Sequence, residues 1–357
     1  MKHARFLTTM ICGASLTATT VANTPYITKV FDFVPAPGQF VNLVPEIEAS
    51  DSHEQVCAKV LEQIGFDKNP GMISLGAFGG YVVFGFDHPV INVEGEYDFK
   101  IYGNAFLSGQ NAQGGSAEPG IVMVSADING NGLPDDPWYE LAGSDYSKET
   151  TLKGYKITYH KPVSDHTPVP DPNNAMIVDK EYIRWTASDG EEGYVQKNRY
   201  HGQSYWPEWI NSDTLVLEGT RLAPNGIDTS GNGSYFVLMT LDWGYVDNRP
   251  NNDPDDKGFD IGWAVDSEGK QVHLPKIDFV RVHTAVNQSN GWLGENSTEI
   301  VGAEDLHPDA IDVSGVNEVL FINKDNTEIF DLMGRKIANP QPGTLYIRGG
   351  RKFIQPK

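Results

Sequence analysis

Short runs of β-branched, aromatic and aliphatic residues, separated by glycines and polar turns, recur along most of this chain. The run from Tyr26 to Phe40 alternates apolar and polar positions and is broken at 35–38 by Pro-Ala-Pro-Gly, which predicts a strand followed by a turn. Later runs predict strands at Met72–Leu75, Gly79–Phe86, Tyr97–Tyr102, Gly120–Ser125, Tyr155–His160, Tyr182–Trp185, Thr214–Leu217, Tyr235–Leu241, Phe259–Val265 and Ile277–His283. The pattern predicts an all-β fold, an antiparallel jelly-roll-like β-sandwich that forms either one body or two packed lobes.

One segment instead has the spacing of a short helix. Ser52 and Gln55 are three residues apart, as in a capping box, and Gly65 can end the helix in a left-handed cap. Between them, apolar side chains recur at helical intervals at Val56, Val60, Leu61 and Ile64. We expect this helix to cover one face of a sheet.

The first 22 residues have the features of a signal peptide. A basic start containing Lys2 and Arg5 precedes the apolar stretch Phe6–Ala18, and small residues at 20–22 suggest cleavage before Asn23. A lipid-bearing Cys12 is the alternative. Either reading predicts export, and removal of residues 1–22 leaves Cys57 without an intramolecular disulfide partner.

The sequence divides the rest of the chain into a main β-sandwich domain, 23–312, and a small β module, 317–357. Within the module, apolar runs predict strands at Glu318–Asn323, Thr327–Leu332, Leu345–Arg348 and Lys352–Ile354. Turns are predicted at Met333-Gly334 and Gly349-Gly350. About forty residues bury little core, so this module either docks on the main domain or is marginally stable alone.

The net negative charge of the chain argues against two classes of binding partner. The chain has 27 Lys and Arg against 48 Asp and Glu, a formal net charge of −21. A protein with this net negative charge repels nucleic acids and anionic membrane surfaces. No segment of the sequence carries enough consecutive apolar residues for a transmembrane helix.

The acidic run at 127–136, Asp-Ile-Asn-Gly-Asn-Gly-Leu-Pro-Asp-Asp, has the spacing of a calcium-binding loop. The candidate ligands are Asp127, Asn129, Asn131, the carbonyl of Leu133, Asp135 and Asp136. The run is similar to the calcium loops of thrombospondin-type and dockerin-type repeats. Its twelfth position is Trp138 instead of a bidentate Glu, so Asp136 or Glu140 would have to complete the shell. Structural calcium is one interpretation, and a plain turn closed by Asx hydrogen bonds is the other.

A second acidic segment runs from Asp247 to Asp260. Like charges at this density repel one another unless water or a cation screens them. A solvated loop is the favoured interpretation, and a second calcium site is the alternative.

An aromatic segment between 194 and 209 is the candidate ligand-binding surface. Its rings, interleaved with amides and charges, are Tyr194, Tyr200, His201, Tyr205, Trp206 and Trp209. Flat aromatic faces stack on sugars or planar macrocycles, and neighbouring polar groups fix the orientation of a ligand. The alternative is that the rings fill the space between two sheets.

The sequence has no recognisable catalytic motif. It contains no His-Glu-x-x-His run, no Gly-x-Ser-x-Gly elbow and no phosphate-binding loop. A carboxylate pair for glycoside hydrolysis depends on the fold and stays open. The sequence therefore favours a non-enzymatic protein without deciding the question.

Four runs resemble a family of secreted or surface-exposed proteins of Bacteroidetes. They lie at 34–40 (Val-Pro-Ala-Pro-Gly-Gln-Phe), 74–80 (Ser-Leu-Gly-Ala-Phe-Gly-Gly), 201–207 (His-Gly-Gln-Ser-Tyr-Trp-Pro) and 277–282 (Ile-Asp-Phe-Val-Arg-Val). The resemblance implies an exported β-rich protein, often encoded beside outer-membrane uptake receptors that in some cases are linked to cobalamin. It supplies no catalytic residues.

The C-terminal tail carries a separate resemblance. The runs at 329–337 (Ile-Phe-Asp-Leu-Met-Gly-Arg-Lys-Ile) and 342–347 (Pro-Gly-Thr-Leu-Tyr-Ile) are similar to sorting domains of type IX secretion. This resemblance implies recognition by an export machinery.

These observations give three functional hypotheses. The first is an exported binding protein, at the cell surface, at the outer membrane, secreted or periplasmic, which captures a glycan or corrinoid with calcium-stabilised loops and cooperates with an uptake receptor. The second is a structural or adhesive surface protein with a protein partner. The third is a calcium-dependent glycoside hydrolase or lyase, which requires two carboxylates facing each other in a cleft.

Overall fold

The computed structural model describes residues 23–65, 71–109, 112–310, 328–332, 334–348 and 351–355. The predicted signal peptide, the predicted boundary near 312 and the predicted strand Glu318–Asn323 lie outside these ranges, as do Met333 and the Gly349-Gly350 turn.

The described residues form an all-β fold of antiparallel sheets with one α-helix, as the sequence predicts. The first elements are β1 (Lys29–Val34), α1 (His53–Ile64), β2 (Ile73–Ser74), β3 (Tyr81–Gly85), β4 (Val90–Ile91), β5 (Phe99–Tyr102), β6 (Phe106–Leu107), β7 (Gly114–Ser116), β8 (Gly120–Ser125), β9 (Tyr139–Leu141), β10 (Leu152–His160), β11 (Ile177–Ala187) and β12 (Glu192–Asn198). The remaining strands are β13 (Thr214–Arg221), β14 (Gly226–Asp228), β15 (Phe236–Met239), β16 (Ala264–Val265), β17 (Lys276–Ile277), β18 (Phe279–Thr284), β19 (Glu299–Ile300), β20 (Gly302–Asp305), β21 (Ile329–Phe330), β22 (Leu345–Arg348) and β23 (Arg351–Ile354).

A six-stranded sheet with the order β1-β3-β18-β8-β9-β16 is the largest in the described part of the chain. In its centre, Val282 of β18 pairs with Val82 on one side and Val122 on the other. All three valines are fully buried, and so is Phe84 of β3. Near-continuous apolar strands of this kind fit a sheet that is covered on both faces.

The described residues bury three apolar clusters, of which the two larger ones pack on the sheets described here. The larger core joins the six-stranded sheet to α1, whose Val56, Val60 and Ile64 are buried. The second core lies on the four-stranded sheet β12-β11-β10-β13. Along β10 the buried side chains alternate, with Tyr155 and Tyr159 facing this core.

The structure confirms the capping box of α1. The backbone N–H of Gln55 donates to the Ser52 hydroxyl, and the Ser52 N–H donates to the Gln55 side chain. The predicted left-handed cap at Gly65 is wrong, because this residue is extended, with φ −80° and ψ 152°. Its N–H still donates to the carbonyl of Leu61 over 2.8 Å, so the helix ends there without a positive φ.

The predicted strand Phe259–Val265 is also largely wrong. Asp260 accepts a hydrogen bond of 2.6 Å from the N–H of Gly262 and caps a short 3₁₀ turn at Ile261–Trp263. This cap turns the chain and leaves only Ala264–Val265 to pair with β9. Apolar periodicity does not distinguish a short buried turn from a strand.

In the C-terminal module, β21, β22 and β23 form one three-stranded antiparallel sheet. Tyr346 and Ile347 are buried in it. The strands predicted at Leu345–Arg348 and Lys352–Ile354 are confirmed, and only two residues of Thr327–Leu332 form a strand.

Candidate ligand-binding cavity

A cavity of about 360 Å³ brings an aromatic rim and two carboxylates together. The rim contains Phe40, Tyr200, His201 and Trp292, and the polar part of the wall contains Gln39, Ser74, Asn104, Ser116, Glu118, Ser297 and Glu299. Apolar residues complete the wall at Val44, Met72, Leu238 and Leu293. The volume lies in the usual range of about 300–1,000 Å³ for small-molecule sites.

The side chain of Asn198, the last residue of β12, holds the segments of the aromatic rim together by hydrogen bonds. Its Oδ1 accepts hydrogen bonds from the backbone N–H groups of Tyr200 and His201, at 3.0 and 3.1 Å. Its Nδ2 donates to Oε1 of Gln39 at 2.8 Å and to the carbonyl of Trp292 at 3.3 Å. One fully buried amide therefore joins three chain segments that form the mouth of the cavity.

The rim rings pair edge to face. Tyr200 and Trp292 have ring centroids 6.1 Å apart, and Phe40 and His201 have centroids 4.7 Å apart. Tyr200 is 58% exposed, so much of its ring is available to a ligand. Burial lowers the pKa of His201 and so favours its neutral imidazole.

Beneath the rim, Glu118, Asp247 and Glu299 form a carboxylate cluster. One oxygen of each lies within 4.8 Å of the others, and together they could hold a metal ion. Glu118 and Glu299 line the cavity, and Ser297 links them: its N–H donates to Glu118 and its hydroxyl donates to Glu299 over 2.8 Å.

Asp247 connects the segments below the cavity. Its Oδ1 accepts from the N–H groups of Asn104 and Ala105, both at 2.7 Å, and its Oδ2 accepts from the N–H of Glu299 at 2.9 Å. Its φ of 55° is the only positive φ among the described non-glycine residues. Gly103 must be a glycine for this contact, because a Cβ there would lie 2.4 Å from Oδ1 of Asp247. Backbone strain of this kind occurs often at functional sites.

Burial and mutual repulsion favour the protonated form of the carboxyl groups in this cluster. Burial, and then the nearby charge of Asp247, raise the pKa of Glu118 to about 8. Burial raises the pKa of Asp247 to about 7, and burial together with both neighbours raises the pKa of Glu299 well above its ordinary value. A bound cation would compensate these charges, and without one the cluster favours bound protons.

The six residues of the predicted aromatic segment lie in four different places. Tyr200 and His201 lie at the cavity mouth, whereas Tyr194 lines a different, smaller pocket. Tyr205 and Trp206 are 0% and 1% exposed and belong to the second core, so these two rings occupy the packing role that the sequence also allowed.

The last predicted aromatic residue, Trp209, is half-buried. Its ring stacks on Phe33 with centroids 6.1 Å apart and an interplanar angle of 14°. Both residues pack in or against the larger core, away from the cavity lining.

The predicted calcium loop is closed by its own hydrogen bonds. Asp127 accepts from the N–H groups of Gly130, Asn131 and Gly132, and the side-chain amides of Asn129 and Asn131 donate to Asp135. Oδ2 of Asp136 accepts from the N–H of Ile128 at 3.0 Å, and Leu133 is exposed. Glu140 instead bonds to Thr220. These hydrogen bonds give the loop the geometry of consecutive Asx turns.

A second loop repeats this geometry and was missed by the sequence analysis. Asp228 accepts from the N–H groups of Gly231 and Gly233, as Asp127 does from Gly130 and Gly132. The φ angles of the first glycine in each loop are both 72°. The shared signal is the pattern Asp-x-x-Gly-Asn-Gly at 127–132 and 228–233.

The acidic segment Asp247–Asp260 has internal partners for several of its charges. Asp256 forms an ion pair of 2.8 Å with Lys100, and Asp253 lies 3.5 Å from Arg249. Asp260 caps the 3₁₀ turn. Among the aspartates of this segment, only Asp247 is buried.

A larger and more open groove, of about 730 Å³, lies elsewhere on the protein. Lys153 lies 3.7 Å from Glu140 in this groove. The guanidinium of Arg281 lies over the ring of Tyr81 at 4.1 Å, and its buried Nε has no hydrogen-bond partner among the described residues. The groove contains none of the predicted ligand-binding residues.

Sequence reasoning missed Gln39, Glu118, Trp292 and Glu299 and placed Asp247 in a solvated loop. Glu118 lies two residues before β8, and Glu299 opens β19. A carboxylate beside a short strand is too common a signal in a chain with 48 acidic residues to select these positions.

Neither the models of known protein families nor the curated proteins contain a match to this chain. Within the described ranges, no helix has the length and apolar character needed to cross a membrane.

Proposed function

We propose that this protein is an exported binding protein that captures a small saccharide in the cavity between the aromatic rim and the carboxylate cluster. The observation that carries the proposal is that one cavity combines exposed ring surface at Tyr200 with the oxygen atoms of Glu118 and Glu299. Sugars present apolar C–H faces and a ring of hydroxyl groups. Aromatic rings suit the faces, and carboxylates accept hydrogen bonds from the hydroxyls.

Size favours a saccharide over a corrinoid. A cavity of about 360 Å³ accommodates a ligand of one or two sugar rings. A corrinoid with its side chains is larger than the cavity, and only part of it could enter past the rings. A glycan is therefore the ligand class that we favour, and cobalamin belongs in the test as the competing ligand.

The proposal is tested by titrating the protein with a panel of mono- and oligosaccharides and cobalamin in a calorimeter. Tyr200→Ala is expected to weaken binding about fivefold or more, because loss of one aromatic contact costs about 1 kcal/mol. Tyr194→Ala is the matched control, since it removes a ring of the same segment outside the cavity. If no saccharide in the panel and no cobalamin gives a binding signal, the proposal is overturned. A structural or adhesive protein with a protein partner would then be favoured.

A second candidate function is glycoside hydrolysis. Glu118 and Glu299 both line the cavity with oxygen atoms within 4.8 Å, and retaining glycosidases separate their two carboxyl groups by about 5 Å. The raised pKa of Glu118 suits a general acid at neutral pH. Release of reducing ends from a bound oligosaccharide, lost in Glu299→Gln, would establish catalysis, and intact ligand after long incubation would exclude it.

Calcium belongs to the proposal in a structural role. We propose that Ca²⁺ binds the loop at Asp127–Asp136 and holds its geometry. The support is the alternating oxygen side chains with glycine at the sixth position.

Location and partner are also proposed. The signal-peptide pattern and the tail resemblance support export to the cell surface, the outer membrane or the medium, with a periplasmic form as the alternative. An outer-membrane uptake receptor is the proposed partner. Protease treatment of intact cells tests surface exposure, and co-purification from solubilised outer membranes tests the receptor.

A further inference from the structure

The open groove of about 730 Å³ is lined by one face of the six-stranded sheet and by β13. Arg281 of β18 pairs with Met123 of β8, and Met123 pairs with Glu140 of β9. Residues that pair directly across neighbouring strands share a face, so these three side chains form one row on the floor of the groove. On β13, Val216 and Thr220 lie on one face, and the Thr220 hydroxyl donates to Glu140. This face of β13 is therefore turned towards the same groove.

Arg281 is the unusual member of the floor, because no polar group among the described residues bonds to its guanidinium. The guanidinium lies over the ring of Tyr81, with 4.1 Å to the ring centroid. Its Nε is buried without a hydrogen-bond partner and is closed to a ligand as well. The two terminal nitrogens, Nη1 and Nη2, are not buried in this way, so they are the donors that the groove presents. Burial lowers the pKa of Arg281, which is the expected direction for a cation without a counter-ion.

The two acidic residues whose charges act on this guanidinium are bonded to other groups. Oδ2 of Asp32 accepts a hydrogen bond of 2.7 Å from the Tyr81 hydroxyl, and Oδ1 lies 3.1 Å from Nε2 of His53. Glu218 forms an ion pair of 2.9 Å with Lys156 on the neighbouring strand. Neither carboxylate therefore serves as the counter-ion of the guanidinium.

The remaining charges of the groove have partners of their own. Nζ of Lys153 lies 3.7 Å from Glu140 and over the ring of Tyr146. Asp266 accepts hydrogen bonds from two backbone N–H groups of its own turn, both at 2.9 Å. Burial raises the pKa of Glu140 and so weakens its negative charge. Among the described residues, Arg281 is thus the charged group of the groove that still lacks a polar partner.

We propose that this groove binds an organic carboxylate, which places its two oxygens on Nη1 and Nη2 of Arg281 and its apolar body on Met123 and Trp138. The planar guanidinium matches a carboxylate with two parallel N–H···O bonds. Trp138 lies two residues before Glu140 and so on the same face, and Val216 adds apolar surface from β13. A phosphate is the weaker candidate, because its charge of about −1.5 to −2 is repelled by a chain of net charge −21.

Carboxylate binding in the groove is independent of saccharide binding, because the groove and the cavity of about 360 Å³ share no lining residue. Arg281→Gln should leave saccharide binding unchanged, and Tyr200→Ala should leave carboxylate binding unchanged. The two variants therefore separate failure of one proposal from failure of the other.

The test is a titration of the protein with sodium benzoate, followed by saturation-transfer NMR of the ligand at constant ionic strength. Saturable binding is expected for benzoate and not for benzamide, its neutral counterpart of the same shape. Arg281→Gln should weaken benzoate binding by more than about tenfold, because it removes the charge together with the paired donors. Inorganic phosphate, titrated under the same conditions, should bind more weakly than benzoate.

Arg184→Gln is the charge-matched control, because Arg184 pairs with Glu192 at the exposed surface and lies outside the lining of the groove. It should change the affinity for benzoate less than about twofold. Absence of saturable benzoate binding, equal binding of benzamide, tighter binding of phosphate, or equal weakening by Arg184→Gln would each overturn the proposal.

A second variant decides the question if Arg281→Gln does not fold. Val216→Glu places a negative charge in the wall of the groove, at a position that is 54% exposed, and should weaken benzoate binding about fivefold. Val163→Glu adds the same charge at a 66% exposed position outside the groove and should leave benzoate binding unchanged. Unchanged benzoate binding in Val216→Glu, or equal weakening in both variants, would refute the site.

Discussion

The side-chain amide of Asn198 donates a hydrogen bond of 2.8 Å to Oε1 of Gln39, although the two residues are 159 positions apart. Nε2 of Gln39 donates in turn to the carbonyl of Leu293, and the Gln39 N–H donates to Glu295. This network joins the mouth of the cavity of about 360 Å³ to the wall of a smaller pocket that Glu295 lines. It relies on an amide at position 198, which supplies a donor and an acceptor at once.

Asn198→Ala should therefore destabilise the protein and loosen the cavity mouth. The substitution leaves the N–H groups of Tyr200 and His201 and the Oε1 of Gln39 without their partners, and each unmet buried group costs about 1–3 kcal/mol. Urea denaturation measures the loss. Asn211→Ala, at an exposed position, should change the free energy of unfolding by less than about 0.5 kcal/mol. Equal stabilities for the two variants would contradict the role of Asn198.

The carboxylate cluster predicts a pH dependence of stability. The folded-state pKa values of Glu118 and Asp247, about 8 and about 7, lie above their ordinary values, so the folded protein binds more protons than the unfolded chain. The contribution is complete below about pH 4 and is lost as the pH rises to about 8. The melting temperature should thus be several degrees higher at about pH 5 than at about pH 8.5.

Glu118→Gln isolates this effect, because glutamine is neutral at every pH. The variant should melt at a higher temperature than the parent at about pH 8.5 and show a flatter pH profile. Glu192→Gln removes an exposed charge and should keep the slope of the parent. If Glu118→Gln and the parent have the same slope, the cluster is not the source of the pH dependence.

Replacement of Asp247 separates backbone strain from lost hydrogen bonds. Both Asp247→Ala and Asp247→Gly remove three accepted hydrogen bonds, and only glycine adopts a φ of 55° without strain. The glycine variant should be more stable than the alanine variant by about 1 kcal/mol. Denaturant titration of the two variants measures the difference, and a more stable alanine variant would show that the positive φ carries no strain.

Calcium binding to the loop at Asp127–Asp136 should raise the melting temperature of the protein. Asp127→Ala should lose this increase, because Asp127 supplies the first oxygen of the proposed shell. Asp165→Ala, which removes an exposed carboxylate from another loop, should keep it. Differential scanning calorimetry with and without Ca²⁺ gives the result. An increase that survives Asp127→Ala would place the ion elsewhere.

Truncation of Trp206 should mainly reduce the stability of the protein, whereas truncation of Tyr200 should mainly reduce ligand binding. Trp206 is 1% exposed in the second core, so Trp206→Ala should cost about 3–5 kcal/mol of stability. Tyr200→Ala, at a 58% exposed position, should cost much less and act on ligand binding instead. Chemical denaturation of both variants distinguishes core packing from a binding role, and a small loss for Trp206→Ala would contradict its place in the core.

Of the six residues predicted to bind a ligand, Tyr200 and His201 line the larger cavity. A polar and aromatic segment such as 194–209 is visible within a short window of sequence. Tyr205 and Trp206 come from the same window, yet the path of the chain after β12 turns them into the core. Sequence spacing alone could not separate rings that are five or six positions apart.

The sequence by itself determined the all-β class and the capping box of α1, because apolar periodicity and capping are set by residues close in the chain. Only the tertiary structure decided where charges meet. Glu118, Asp247 and Glu299 come from distant segments, and the order and register of the strands bring their oxygens within 4.8 Å. Periodicity sets which face of a strand is buried, whereas strand order follows from packing of the whole chain, so the carboxylate cluster, the cavity and the groove appear only in the folded protein.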